Sequence, residues 1–576
     1  MFSKTWKTSE KKYNIVVERD VKIGMTDGTQ INADIFRPDS SEKFPAIFGF
    51  SPYFLAPQTA PIKPDSISMH SFMLGTQEKG NGSLEAGDPN FFVPRGYAQI
   101  VANVRGTGKS GGKFSFLGTQ ESQDGVKVIE WIAAQPWCDG NVGMFGVSYF
   151  AWIQHFIASL EPPHLKCIFA PWAATDLYRD SVYQGGILGY GFWVGLCRAF
   201  EKARAESYSR KNWGDNKFEE AILKALEDED IVAVPELVNI LKNPDEGTNP
   251  MLADFLLNPH DGPYWEERRV KYETIKVPAY IGACWGIFGL HLPGACRSWE
   301  NLRVPKKMII GTQAYLDRPV YQVHYEALRW FDYWLKGFNT GIMDEPPIRI
   351  FVMGTGEWRV ANDWPLDETK WTPFYLHENQ LLWEHEHWPN EGSDSFDDSP
   401  YHRGHVEYYT PPLVENTEVI GPIVLNLYAS TTDIEMFLFA SLWEVDEKGN
   451  ERLLTRGWLR GTHRKVDPEK SKPWAPFLPH TESEPLTPGK IYEFNIPVVP
   501  TGNLFRAGSR IKLKICSCDD KPKHPLEMAA SGHLRRQSPS RITIYHDTDH
   551  PSCLLLPITK GNILETYLSG GKPFIS

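Results

Sequence analysis

The chain has 576 residues, too many for one hydrophobic core, so two or three domains are expected. Its formal charge of −12 argues against a nucleic-acid partner, which would need a basic face. No apolar run reaches the roughly 18–20 residues of a membrane span, the first twenty residues lack the apolar stretch of a signal peptide, and eight cysteines in so long a chain make no disulfide framework. The expectation is a soluble cytoplasmic protein with reduced thiols.

Residues 13–37 alternate apolar and polar around Thr26-Asp27-Gly28, which predicts a hairpin. Apolar runs at 44–50, 98–104, 142–145, 166–169, 279–281 and 307–310 read as strands. Helical spacing at 120–134 separates two of them (Val126, Ile129, Ile132, Ala133). Strands alternating with helices predict a mostly parallel sheet. Residues 172–255 break the rhythm and read as a helical cap over that sheet. After a helix at 324–336 the composition changes at 337–347. Short β-prone runs with Pro/Gly turns follow, at 348–352, 423–428, 437–443, 491–496, 511–515 and 542–545, the pattern of a β-sandwich.

The strongest local signal is Gly143-Met-Phe-Gly146-Val-Ser148-Tyr149-Phe150-Ala151, between a strand and a helical pattern. A nucleophilic serine on such a turn needs small residues on either side, here Gly146 and Ala151, so that its Oγ stands exposed at a helix N-terminus. The N–H of Tyr149 then faces a developing oxyanion.

At this point the sequence resembles the cocaine-esterase-like hydrolases, which include X-prolyl dipeptidyl peptidases and α-amino-acid ester hydrolases. The matching blocks are ordered: Met25 to Pro38, Ser51-Pro-Tyr53, Phe92 to Tyr97, Asn103 to Gly112, Glu130 to Gly140, the elbow, Asn258 to Trp265, and Trp330 to Gly337. Further matches, Pro500-Thr-Gly and Ala507-Gly-Ser-Arg-Ile, carry the resemblance into the β-rich part. It implies an α/β-hydrolase domain in two parts (1–171 and 256–345), a helical cap (172–255) and a C-terminal jelly roll (346–576). It also implies that the Tyr53 hydroxyl joins the Tyr149 N–H in the oxyanion hole, and that the chain forms a homodimer. Arg105-Gly-Thr-Gly-Lys-Ser110 is similar to a phosphate-binding loop, but Asn103 stands where that loop needs glycine, so the turn reads as structural.

The family pattern fails at the acid and the base. The acid position holds Gly286, or Cys284 after a shift of two, and Tyr315 stands at the histidine position. Three readings follow. The base has moved to His324 or His291, oriented by Asp317 or Glu326, and Ser148 forms an acyl-enzyme from an ester or amide of a small molecule. Alternatively, the pocket serves a lyase, cyclase or acyl transferase, or a silent binder. Cys284, Trp285 and Tyr315 are candidate pocket residues. No cofactor is implied, and no metal: Glu384-His-Glu-His387 lacks spaced partners.

Overall fold

The computed structural model describes residues 7–53, 85–197, 200, 203–312, 321–385, 391–520 and 532–561. The first sheet has ten strands. It contains β1 (Ile15–Gly24), β2 (Gln30–Pro38), β3 (Phe44–Ser51), β4 (Ala98–Asn103), β5 (Cys138–Phe145) and β6 (Leu165–Pro171), then Ala279–Cys284, Lys306–Gly311, Ile348–Val352 and Glu357–Ala361. Their spatial order is β1-β2-β4-β3-β5-β6, followed by the last four in sequence order. Every pairing from β4 to Ile348–Val352 is parallel, while β1, β2 and Glu357–Ala361 pair antiparallel at the two edges.

Parallel strands are covered on both faces, and the sequence shows why these qualify: β3 and β4 are buried along their whole length. Successive side chains feed different cores. Ala46, Phe48, Met144, Ile168 and Ile281 pack with Ile129 and Ile153 of the helices Thr119–Ala133 and Tyr149–Ala158. Their neighbours Ile47, Phe145, Phe169 and Tyr280 pack with Leu328 and Phe331 of the helix Tyr321–Lys336. A period of two along each strand thus sorts residues between the two faces.

Between β6 and Ala279–Cys284 lie the helices Tyr190–Cys197, Tyr208–Trp213, Asp215–Ala225, Pro235–Lys242 and Asn249–Leu257. The second sheet has eleven strands, from Lys370–His377 to Cys553–Lys560. Its last strand pairs with both Lys370–His377 and Thr417–Thr431, so the sheet folds back on itself as a jelly roll. Alternation is clear in Thr417–Thr431, where Ile423, Leu425, Leu427 and Ala429 point inward.

One strand changes sides. Ile348–Val352, expected to open the β domain, is the ninth strand of the first sheet, parallel to Lys306–Gly311. A short β-prone run after Pro346-Pro347 reads alike whichever sheet edge accepts it. No described helix is long and apolar enough to cross a membrane.

Candidate active site

Ser148 caps the helix Tyr149–Ala158 at φ 58° and ψ −124°, a left-handed φ that costs a non-glycine residue strain. The surroundings hold it there. The Val147 N–H donates to Glu85 O (3.0 Å), and the N–H groups of Ala151 and Trp152 donate to Ser148 O (2.8 and 2.9 Å). A Cβ on Gly146 would stand 2.1 Å from Phe150 Cβ and 2.9 Å from Glu85 O, so only glycine lets the chain turn here. Ser148 is half-buried. The N–H of Tyr149, first in the helix, is among those without an intrahelical acceptor, and it sits at the positive end of the helix dipole.

The hydroxyl of Tyr53 lies near the Ser148 side chain. Burial, and then the negative charge of Glu85, hold this phenol well above its ordinary range, so it stays a proton donor. Its position is set from β4: Asn103 Nδ2 donates to Tyr53 O (2.6 Å), and the Tyr53 N–H donates to Ser51 Oγ (3.2 Å). The ring stacks on Phe200 (5.7 Å) and stands edge-on to Tyr149 (6.3 Å).

The turn after Asn103 belongs to the scaffold. Arg105 grips Asp124 through two 2.7 Å bonds and Asp27 through one of 2.6 Å. Lys109 pairs with Asp20, and Ser110 Oγ donates to Asn103 O (2.9 Å) and accepts the Asn32 N–H (2.8 Å). The groups that would meet a phosphate are engaged in joining β4 to the opening hairpin.

Tyr149 points its own side chain away. Its hydroxyl donates to Glu121 (2.6 Å) and accepts the Leu117 N–H (3.2 Å). Burial raises the Glu121 carboxyl to about 7. The ring of Tyr149 stacks on Trp152 (6.1 Å).

The two candidate histidines lie on opposite faces of the sheet. His324 belongs to the helix Tyr321–Lys336, and its Nε2 accepts the Asp88 N–H (3.0 Å). Its ring packs against Phe91, Phe92 and Phe145 at 5.3–5.8 Å, within the apolar face that Phe331 covers. That places His324 on the face of the sheet away from the helix Tyr149–Ala158. Glu326, the suggested orienter, accepts the Tyr280 hydroxyl (3.0 Å) and pairs with Arg329 and Arg349.

His291 starts the helix Leu292–Asn301, fully buried, with its ring edge-on to Trp152 at 5.7 Å. Trp152 is the residue whose backbone N–H holds Ser148 O. His291 therefore shares the face and the immediate surroundings of the elbow helix. Burial pushes it down to about 3, which keeps the imidazole neutral. None of the described hydrogen bonds joins either imidazole to Ser148 Oγ.

Asp317 and Tyr315 lie outside the described residues, as do residues 386 and 387 of the Glu384–His387 tract. Gly286 sits in the short turn Trp285–Ile287 and brings no carboxylate. Trp285 is tied to the first sheet and the β domain: its Nε1 donates to Phe351 O (2.6 Å), and its ring fills the space beside Gly502, 2.3 Å from where a Cβ would stand. Cys284 is fully buried at the end of its strand, opposite Gly311. Sequence reasoning missed Glu85. It carries no motif, yet its carbonyl holds the elbow and its charge is felt at Tyr53. Among the described residues no group of three or more His, Cys, Asp or Glu side chains is arranged to hold a metal ion.

Comparison with known proteins agrees with this geometry. Residues 27–314 match the family model described as X-Pro dipeptidyl-peptidase (S15 family). Residues 340–555 match the X-Pro dipeptidyl-peptidase C-terminal non-catalytic domain. A cocaine esterase from Rhodococcus sp. is 26% identical, over 95% of this chain and 99% of its own. A CocE/NonD family hydrolase from Staphylococcus aureus has a TM-score of 0.77 at 25% identity, covering 95% of this chain and 94% of that one. An aminopeptidase from a Thaumarchaeota archaeon reaches 0.72 at 15% identity, covering 95% and 97%, a likeness of fold alone.

Proposed function

The chain belongs to the X-Pro dipeptidyl-peptidase family, and on that premise we propose that it is a serine hydrolase cleaving an ester or amide of a small molecule through an acyl-enzyme. The observation that carries this is the strained Ser148 with the Tyr53 hydroxyl beside it. Ser148 Oγ attacks the substrate carbonyl carbon, and His291 takes its proton. The carbonyl oxygen, now negative, receives hydrogen bonds from the Tyr53 hydroxyl and the Tyr149 N–H. Collapse expels the alcohol or amine, which collects the proton from the imidazolium. Water repeats the sequence on the acyl-enzyme, releasing the acid and restoring Ser148.

Two features support His291 as the base: it lies on the elbow's side of the sheet, and burial keeps its ring neutral, with a lone pair to offer. The same burial penalises the imidazolium. That charge is tolerated best when the oxyanion forms with it in the same cavity. A fluorophosphonate probe tests the scheme. The wild type should be labelled stoichiometrically, Ser148→Ala not at all, His291→Gln far more slowly, and His324→Gln at close to the wild-type rate. An unlabelled wild type overturns the covalent mechanism.

The missing carboxylate at Gly286 favours one second reading, a pocket that stabilises an enolate without covalent chemistry. A wild type inert to the probe that still converts a small molecule would select it.

A further inference from the structure

Gly289, two residues before His291, is held from outside its own segment. Gln184 Nε2 donates to Gly289 O (2.8 Å) and also reaches Asp180 O (3.3 Å). Both partners are carbonyls, so the amide orientation of Gln184 is fixed with Oε1 on the other side. There it meets His533 Nε2 at 2.7 Å. His533 Nδ1 faces the Asp519 carboxylate at 3.0 and 3.1 Å, and the His533 backbone N–H donates to Asp519 Oδ2 (2.9 Å). Each ring nitrogen therefore looks at an oxygen that only accepts. The ring is thus fixed from both sides, by the Asp519 carboxylate and by the Gln184 amide. Burial works against the charged Asp519, but His533 and Arg456 beside it outweigh that and hold its carboxyl below the usual range.

The network is buried and backed on all sides. Gln184 and His533 are 2% exposed, and the Asp519 side chain is 4% exposed. The ring of His533 lies against Trp458 (5.4 Å) and Phe439 (5.6 Å). The chain around it is laced to the insertion: the Gly191 N–H donates to Gly532 O (3.0 Å) and the Leu534 N–H to Leu188 O (2.8 Å). Gly532, at φ +78°, comes so close that a Cβ would stand 2.9 Å from Gly191 Cα. Phe288, just ahead of Gly289, stacks on Trp458 (6.5 Å).

We propose that Asp519, His533 and Gln184 form a positioning relay through which the β domain fixes the Gly289-Leu290-His291 turn and so aims the imidazole at Ser148. This gives the β domain a part in catalysis beyond covering the sheet. It rests on the reading that His291 serves Ser148. The loss of Gln184 would free the Gly289 carbonyl to rotate, and the loss of His533 would free the Gln184 amide.

The test measures fluorophosphonate labelling, kcat and KM on a small ester, and melting temperature in the full chain. Gln184→Met and His533→Phe should slow labelling and kcat about 10- to 100-fold, the usual cost of removing a partner that orients a functional imidazole, with KM little changed. Arg179→Ala provides the control. Arg179 ties the same insertion to Leu478 O and Pro479 O but touches none of the relay. It should lower the melting temperature and leave labelling at the wild-type rate. Asp519→Asn should abolish a downfield imidazole N–H resonance that Arg179→Ala retains. If Gln184→Met and His533→Phe label at the wild-type rate while His291→Gln is slow, the relay is wrong and the base assignment stands. If all three slow labelling only in proportion to lost stability, as Arg179→Ala would then also do, the relay is merely structural and the proposal falls. If His291→Gln itself labels at the wild-type rate, the base assignment is overturned and the relay's catalytic role goes with it.

Discussion

Two tyrosines at the elbow have opposite uses of their hydroxyls. The Tyr53 hydroxyl lies near Ser148, whereas that of Tyr149 is spent on Glu121 and Leu117, so in the proposed mechanism Tyr149 offers only its backbone N–H. Tyr53→Phe removes one oxyanion donor and should lower kcat by about 10²–10³-fold with KM little affected. Tyr149→Phe should leave kcat close to the wild type. It would cost about 1–3 kcal/mol of stability, because the buried Glu121 loses a partner. Steady-state kinetics and denaturant midpoints on the two variants check the pair, and a kcat loss confined to Tyr149→Phe would reverse the assignment. The turn at Ser148 was legible in the sequence because local backbone geometry dictates it, a glycine two residues before a strained serine, whereas Tyr53 was suggested by the family resemblance alone. The choice of base was not legible. His291 and His324 each stand at or in the helix that follows a strand, and what separates them is the face of the sheet each reaches. The two-residue period that sorts Phe145 from Met144 stops at the strand's end, so it says nothing about an imidazole several residues further on.

At the scale of elements, the 103–112 turn shows how one arginine can secure a site it never touches. Arg105 bonds Asp124, whose side chain is 2% exposed, and Asp27 of the opening hairpin. The same stretch supplies Asn103, which holds the Tyr53 carbonyl. Arg105→Met strands the Asp124 carboxylate without its cation and should destabilise the protein by about 3–5 kcal/mol, read as a shift of the urea midpoint. If Arg105 held a nucleotide phosphate instead, ATP would raise the wild-type melting temperature; the expected shift is nil. Asn103 in place of glycine made this turn readable as scaffold. The strand Ile348–Val352 was less readable. Its composition is that of any edge strand, and its membership is decided by the parallel register with Met308 to Ile310, a contact across some forty residues that no local pattern encodes. The jelly roll beyond it was legible in kind, since alternating short strands with Pro/Gly turns admit few other packings.

Over the whole molecule, the helical insertion and the β domain meet through three imidazoles, two of them face to face. His463 Nδ1 faces His480 Nδ1 at 3.2 Å, and His463 Nε2 and His260 Nε2 both reach Ser483 Oγ at 2.9 Å. One nitrogen of the first pair must donate and the other accept, so protons on both Nδ1 atoms at once would set two donors face to face. Gly186 leaves no room to part them: a Cβ there would stand 2.5 Å from His463 Nδ1. Burial, and then Arg460, push His463 down to about 3, while burial and then Arg179 hold His480 well below its ordinary value and His260 is lowered by burial. Asp176 and Asp261 also face this joint, both paired with Arg179 and Arg269. Asp176 is held far below the usual carboxylate range despite its burial, by Arg179 and Arg269, and so keeps its charge throughout the window in which the imidazoles matter. The direction of the pH effect follows. The unfolded chain protonates His463 below about 6.5, whereas in the folded chain it resists until about 3, and His480 and His260 are shifted in the same direction. The stability that a neutral His463 confers is complete above 6.5 and drains away as pH falls towards 3, at about 1.4 kcal/mol per pH unit. Two other buried histidines, His155 at about 4 and His291 at about 3, add to the same slope, so a single wild-type curve does not isolate the joint. A difference does. Urea midpoints measured from pH 7.5 to pH 4.5 should fall less steeply in His463→Gln than in the wild type, by about one imidazole's share. Parallel curves for the two proteins would show that the joint takes no part in acid sensitivity.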